Sequence, residues 1–313
     1  TPEAIAEAAL RAAPVWDGHN DVPIQLRARY GNLLADFDFE DTTDTGPTDE
    51  RGRVMHTDFA RLAEGRVGAQ FWSVYVDAAQ TEPEAVVTTL EQIDVTKRLI
   101  APYPGKLALA LSADDVQRAM DAGKIASLIG MEGGHSIDNS LAALRMFHRL
   151  GARYMTLTHS KNTPWADSAT DTPQHGGLTP FGEQVVKEMN WLGMLVDLSH
   201  VSPDTMADAI NTSAAPVIFS HSSARAVNDV PRNVPDNVLQ MLPKNGGIIM
   251  VTFVPGFLSP KVTAWNVLQT AETNRLQQQF PQDEAARKSG LDAWLKANPA
   301  PPATIAGAAD HIH

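Results

Sequence analysis

Four of the ten histidines in this 313-residue sequence, His19, His159, His200 and His221, each end a short apolar run, and Glu132 ends a fifth. Imidazole nitrogens and carboxylate oxygens are both ligands that Zn²⁺ accepts, at about 2.0–2.2 Å. In Asp17-Gly18-His19-Asn20-Asp21 the alternation of a strand puts residues 17, 19 and 21 on one face, so His19 and Asp21 could grip one cation. The same pair also reads as hydrogen-bonded turn residues. Glu132 closes Ile-Gly-Met-Glu, and a carboxylate there must be paired or metal-bound if it is buried. Its other reading is a cap for the following turn, where Ser136 and Asn139 lie. His200 ends Leu-Val-Asp-Leu-Ser-His and His221 ends Val-Ile-Phe-Ser-His, and each alone reads as a structural histidine. Taken together, three histidines and two acids at four strand ends are enough ligands for two metals bridged by a carboxylate.

Those positions have meaning only if the runs are strands. Residues 15–19, 70–76, 125–131, 154–158, 194–198, 216–220 and 247–254 are β-branched or apolar and bounded by Gly, Pro or Asn, as buried parallel strands are. Residues 107–111 form an accessory strand. Helical segments fill the gaps. Ser112 with Asp115 forms a capping box, Thr179-Pro180 opens a helix that Gly193 closes, and Ser202-Pro203 repeats the opening device. The alternation predicts a parallel sheet with outer helices, and the C-terminal strand ends of such a sheet face the active site. Two long loops, residues 31–53 and 160–178, read either as lids or site walls or as surface insertions. The acidic residues at 36–50 are expected on a solvated face. Trp72 and Trp165 are expected to pack, and His56, His135, His148 and His175 to lie at the surface or behind the ligands. His311 and His313 are expected in a frayed terminus.

Composition excludes several classes. There is no cysteine, hence no disulfide framework, thiolate metal site or cysteine nucleophile. A net charge of −12 argues against nucleic acid as a partner. The longest apolar runs, such as residues 247–251, fall far short of the roughly 20 residues of a transmembrane segment.

The motifs resemble the membrane (renal) dipeptidase family of zinc peptidases. The resemblance runs through Trp16-Asp17-Gly18-His19-Asn20-Asp21, Val67-Gly68-Ala69-Gln70-Phe71-Trp72-Ser73 and Gly130-Met131-Glu132-Gly133. It continues through Leu157-Thr158-His159, Asn162-Thr163-Pro164-Trp165-Ala166-Asp167, Gly177-Leu178-Thr179-Pro180-Phe181-Gly182 and Leu195-Val196-Asp197-Leu198-Ser199-His200. Ser220-His221-Ser222 and Pro231-Arg232-Asn233 complete it, so it spans most of residues 15–260 in order. The family's fold is a (β/α)₈ barrel, which implies one α/β barrel domain over residues 1–313. By this resemblance His19 and Asp21 match ligands of a first zinc, Glu132 the carboxylate bridging both, and His200 and His221 ligands of a second. His159 matches the histidine at the reacting carbonyl and Arg232 the arginine that binds the substrate. The implied activity is hydrolysis of dipeptides by a hydroxide shared between two zinc ions. A homodimer is a further implication.

The sequence departs from the family at one place. The family's eighth barrel strand carries an aspartate implied to bind the substrate amino group, and here residues 308–313 resemble the helical segment before that strand. The chain is therefore expected to be C-terminally incomplete. Two further readings stay open: another metal-dependent amide, ester or lactone hydrolase, and a metal-binding barrel with impaired catalysis. The compartment is not settled, although a cysteine-free chain suits an exported bacterial protein.

Overall fold

The computed structural model describes residues 1–43, 53–80 and 82–312, so residues 44–52 of the first long loop and His313 lie outside the described residues. The chain divides into two compact units, residues 1–220 with 241–250, and residues 221–240 with 251–313.

The strands are β1 (Val15–Asn20), β2 (Val67–Tyr75), β3 (Leu107–Leu109), β4 (Ile125–Glu132), β5 (Ala152–Thr156), β6 (Leu195–Asp197), β7 (Ile218–Ser222) and β8 (Ile248–Val251). They hydrogen-bond in the order β1-β2-β4-β5-β6-β7-β8. The pairs whose register is defined, from β1 with β2 to β6 with β7, are all parallel. This path is a nearly closed seven-stranded barrel with an unsealed seam, an α/β barrel lacking one strand as anticipated. The curvature is visible at Gly18 of β1, where a Cβ would lie 2.3 Å from Met250 Sδ of β8 and 2.3 Å from the Ser220 carbonyl of β7. No larger residue fits that approach. β3 is accessory, as expected, because it pairs with Ile125–Ser127 of β4, while β5 pairs with residues 129–132 of the same strand.

β2 and β4 are covered on both faces, with seven consecutive residues of each buried. Helices intervene where the caps place them. Ser112, Ser140, Thr179 and Ser202 each accept a hydrogen bond from the amide three residues on. In the described part of the 36–50 run the acidic residues Asp36, Asp38, Glu40 and Asp41 are exposed, as expected, while Phe37 and Phe39 between them join Phe59, Trp72 and Leu99 in the core. Two aromatics bury enough area to anchor a segment whose neighbours are charged. Trp72 and Trp165 pack in the interior, as expected.

The second unit is helical, with Pro260–Gln279 and Glu284–Ala297 as its long members. His311 corrects one expectation. Instead of fraying it is buried, its Nδ1 accepting from the Ala224 amide at 3.0 Å and its Nε2 placed 3.1 Å from the Leu258 carbonyl. Both ring nitrogens are thus used, which selects the neutral Nε2–H tautomer. Among the described residues no helix is long and apolar enough to cross a membrane.

Candidate metal centre

The first unit brings His19, Asp21, Glu132, His159 and His200 together. β1 delivers His19, whose Nε2 lies 3.3 Å from Asp21 Oδ1 and 3.6 Å from Glu132 Oε2. Asp21 precedes the helix Val22–Tyr30 but makes no side-chain cap there. The turn is served by Asn20, whose Oδ1 accepts from the Val22 amide at 3.2 Å. This separates the two readings of the His-x-Asp pair: the residue between them does the turn work, and Asp21 faces the imidazole.

Glu132 ends β4 and is 4% exposed. It does not cap the short 3₁₀ turn Gly134–Ile137, which has no side-chain cap. Its two oxygens face different partners. Oε2 faces His19 and accepts from Ser73 Oγ at 3.1 Å. Oε1 lies 3.0 Å from His200 Nε2 and 3.7 Å from His159 Nε2. Glu132, His159 and His200 offer ligand atoms all within 4.8 Å of one another. The His159 and His200 rings stand 4.3 Å apart between centroids, and Tyr75 meets His159 edge-on at 4.9 Å. His159, read from the motifs as a substrate contact, therefore also lies within ligand range.

The backbone around these side chains is unusual in ways that serve the site. His200 has φ of 73°, a left-handed conformation that a non-glycine residue holds only when its surroundings enforce it. The enforcing partner is the 160–178 loop: the Ala169 amide donates to the His200 carbonyl at 2.7 Å, and Ser168 Oγ donates to the His159 carbonyl at 2.6 Å. Asp167 in turn holds the loop, accepting from the amides of Gln174, His175 and Gly176 at 3.0, 3.0 and 2.8 Å. The loop is thus a wall of the site rather than a surface insertion. Within it His175 Nε2 lies 3.1 Å from the Thr163 carbonyl. Beside His19 and Asp21 a cavity of about 340 Å³ opens, lined also by Gln25, Arg29 and His56.

The field of the site favours positive charge. Burial opposes charging His19, but Glu132 and Asp21, with Asp197 behind them, outweigh it and raise its pKa to about 9. Burial, then Asp77, Glu132 and Asp21, push the Tyr75 phenol up to about 12. An anionic cluster of oxygen and imidazole donors without sulfur fits a divalent cation such as zinc.

Three buried residues that the sequence did not single out complete the surroundings: Ser73, Tyr154 and Asp197. Asp197 carried a signal, since an acid inside an apolar strand must be compensated. The other two predicted residues belong to the second unit, where Arg232 Nη2 donates to the His221 carbonyl at 3.5 Å and the guanidinium carbon stands 5.4 Å from the centre of the Phe257 ring.

The membrane dipeptidase model of peptidase family M19 matches residues 3–313. The chain belongs to the membrane dipeptidase family. It is 47% identical to Dipeptidase 3 of Rattus norvegicus over 272 residues, covering 85% of this chain and 53% of that protein. It is 46% identical to Dipeptidase tcpJ of Claviceps purpurea (strain 20.1) over 264 residues, covering 80% and 60%. It thus spans about half the length of the Dipeptidase 3 proteins it matches. Among solved structures, a metallo peptidase from Rhodobacter sphaeroides, liganded with a phosphinate mimic of the dipeptide L-Ala-D-Ala, superposes with TM-score 0.68 at 26% identity, covering 79% of this chain and 76% of that one. The fold is also that of the probable dipeptidase PvdM from Pseudomonas aeruginosa, with TM-score 0.71 at 24% identity, covering 88% of this chain and 76% of that one.

Proposed function

We propose that this membrane dipeptidase family chain carries the centre of a metal-dependent dipeptidase that holds two zinc ions bridged by Glu132. The observation that carries the reading is the division of Glu132, with Oε2 toward His19 and Oε1 toward His200. A carboxylate whose oxygens serve separate imidazoles is placed to join two cations. On this reading His19 and Asp21 hold the first ion, and His200 the second. His221 keeps the second-ion role, and Arg232 the carboxylate-binding role, that the motif resemblance gives them. Bound zinc would supply Lewis acidity and, from water, a hydroxide nucleophile at neutral pH.

The remaining work falls to the chain's own residues. Ser73 fixes one Glu132 oxygen by donating to it, so the carboxylate cannot rotate away from His19. His159 is placed to donate from Nε2 to the oxygen of the scissile carbonyl as negative charge develops there. Its backbone is tied by Ser168, so the donor is aimed before the reaction starts. The planar fork of Arg232 suits the terminal carboxylate of a dipeptide. The dipeptide mimic held by the Rhodobacter sphaeroides relative supports a substrate of that size. The assembly implied by the resemblance is a homodimer, which sedimentation equilibrium would test.

The reading is tested by assaying a panel of small dipeptides before and after chelation. Hydrolysis that disappears with the metal and returns with zinc is expected. Turnover that survives exhaustive chelation would overturn it.

A further inference from the structure

The end of the barrel opposite the metal centre holds a second cavity, of about 510 Å³. It lies at the N-terminal starts of β2 and β4, where Val67 and Ile125 line it. Glu132 ends the strand that Ile125 begins, so the length of β4, roughly 23 Å at about 3.3 Å per residue, separates the cavity from the metal centre.

One part of the lining is apolar. Phe59 is buried there, and Val67, Met120 and Ile125 are half-buried. Gly68 lets two neighbours close up: a Cβ on it would lie 2.8 Å from Pro14 Cβ and 3.2 Å from Met120 Cε. The helix Pro2–Ala12 contributes Leu10 and Arg11, yet none of its residues is buried. An apolar body in the cavity would give that helix a surface to pack on.

The charged part of the lining has one sign. Arg11, Arg66, Lys106 and Lys124 line the cavity and no carboxylate does, in a chain of net charge −12. An ordinary solvated face of so acidic a chain would carry both signs. From outside the lining Glu7 pairs with Arg11 and Arg66, and Glu40 pairs with Lys106. That leaves two positive charges in excess, and Lys124 has no ion pair among the described residues. Lys106 Nζ stands 4.6 Å from the centre of the Phe59 ring, so a cation borders the apolar part. Arg66 has φ of 54°, a left-handed conformation that is costly for a non-glycine residue. Its amide donates to the Ala63 carbonyl at 3.1 Å, and its carbonyl accepts from the Val15 amide at 2.9 Å. These two bonds hold the strained residue at the cavity.

We propose that this cavity binds a small amphipathic anion, an apolar ring or short chain with a phosphate, sulfonate or carboxylate head, at a site separate from the metal centre. The apolar lining takes the body. The planar forks of Arg11 and Arg66, with the Lys124 ammonium, take the head. The volume falls within the roughly 300–1,000 Å³ of small-molecule sites, which pair an apolar lining with a few convergent polar groups.

The test titrates the full chain with naphthalene-2-sulfonate, followed by ligand-observed NMR. 2-Naphthol serves as the body alone and methanesulfonate as the head alone. The sulfonate is expected to saturate with a Kd of about 1 mM or tighter, and to bind at least about tenfold tighter than either part. Two variants remove charge from the lining: Lys124→Glu, and Arg66→Asn, whose short polar side chain tolerates the left-handed backbone. Each should weaken binding about tenfold. Failure to saturate, equal affinity for 2-naphthol, or wild-type affinity in both variants would each overturn the proposal, the last by placing the compound elsewhere, the metal centre included. A dimer in sedimentation that Lys124→Glu dissolves would assign this face to a second copy and overturn it as well. Should one variant fail to fold, the other removes a different charge from the same lining.

Discussion

The motif resemblance gave Glu132 the bridging role between the ligand sets of His19 and His200, but no spacing encodes which carboxylate oxygen meets which ring. Replacing Glu132 by Gln keeps the shape and removes the charge. Dipeptide hydrolysis is expected to fall by more than about a hundredfold, beyond what loss of a supporting residue causes, with the circular dichroism spectrum unchanged. A second prediction follows from the charge on His19. Its raised pKa of about 9 means that the metal-free imidazole holds a proton through the neutral range. A metal must displace that proton, because only the neutral ring ligates. Zinc affinity should therefore rise with pH up to about 9 and level off above it. Calorimetry in buffers of different ionisation enthalpy would read the released proton, and zinc binding at pH 7 without proton release would contradict this.

At the scale of elements, central strands such as β2 and β4 were legible because both their faces are buried, which makes them largely apolar runs. Residues 125–131 read as a strand, and β4 is Ile125–Glu132. The loops were less legible. The 160–178 segment reads as Thr, Asp, Pro and Gly, and its role comes from backbone groups: the Ala169 amide and the His200 carbonyl leave no mark in side-chain pattern. Asp167 sets that loop. Although burial opposes its ionisation, the amides of Gln174, His175, Gly177 and Gly176 outweigh it and hold its pKa below the usual value. A depressed carboxylate contributes stability above its unfolded pKa of about 3.9 and loses it as the pH falls through the folded value. Asp167→Ala should thus cost about 1.5–3 kcal/mol at neutral pH, measured by urea denaturation, and the difference from wild type should shrink in strong acid. Gly133 is the other sensitive point. Its φ is +112°, and a Cβ would lie 2.5 Å from the His135 ring. Gly133→Ala should cost about 1–3 kcal/mol and shift the adjacent Glu132, so zinc affinity should fall with stability.

At the scale of the whole molecule, the resemblance in motifs anticipated both the family and a barrel one strand short, since these follow from strand order and ligand position. It did not anticipate the burial of His311, because a histidine near the end of a sequence carries no sign of the carbonyl it will meet. Nor did it anticipate the core role of Phe37 and Phe39 within an acidic segment. The central claim is that one carboxylate joins two cations in this fold. Metal analysis of purified protein, stripped and reconstituted with excess zinc, tests it most directly when wild type and Glu132→Gln are compared. Wild type is expected to hold two zinc ions per chain, and the variant to lose bound zinc. One zinc or none in wild type, or two retained in the variant, would contradict it.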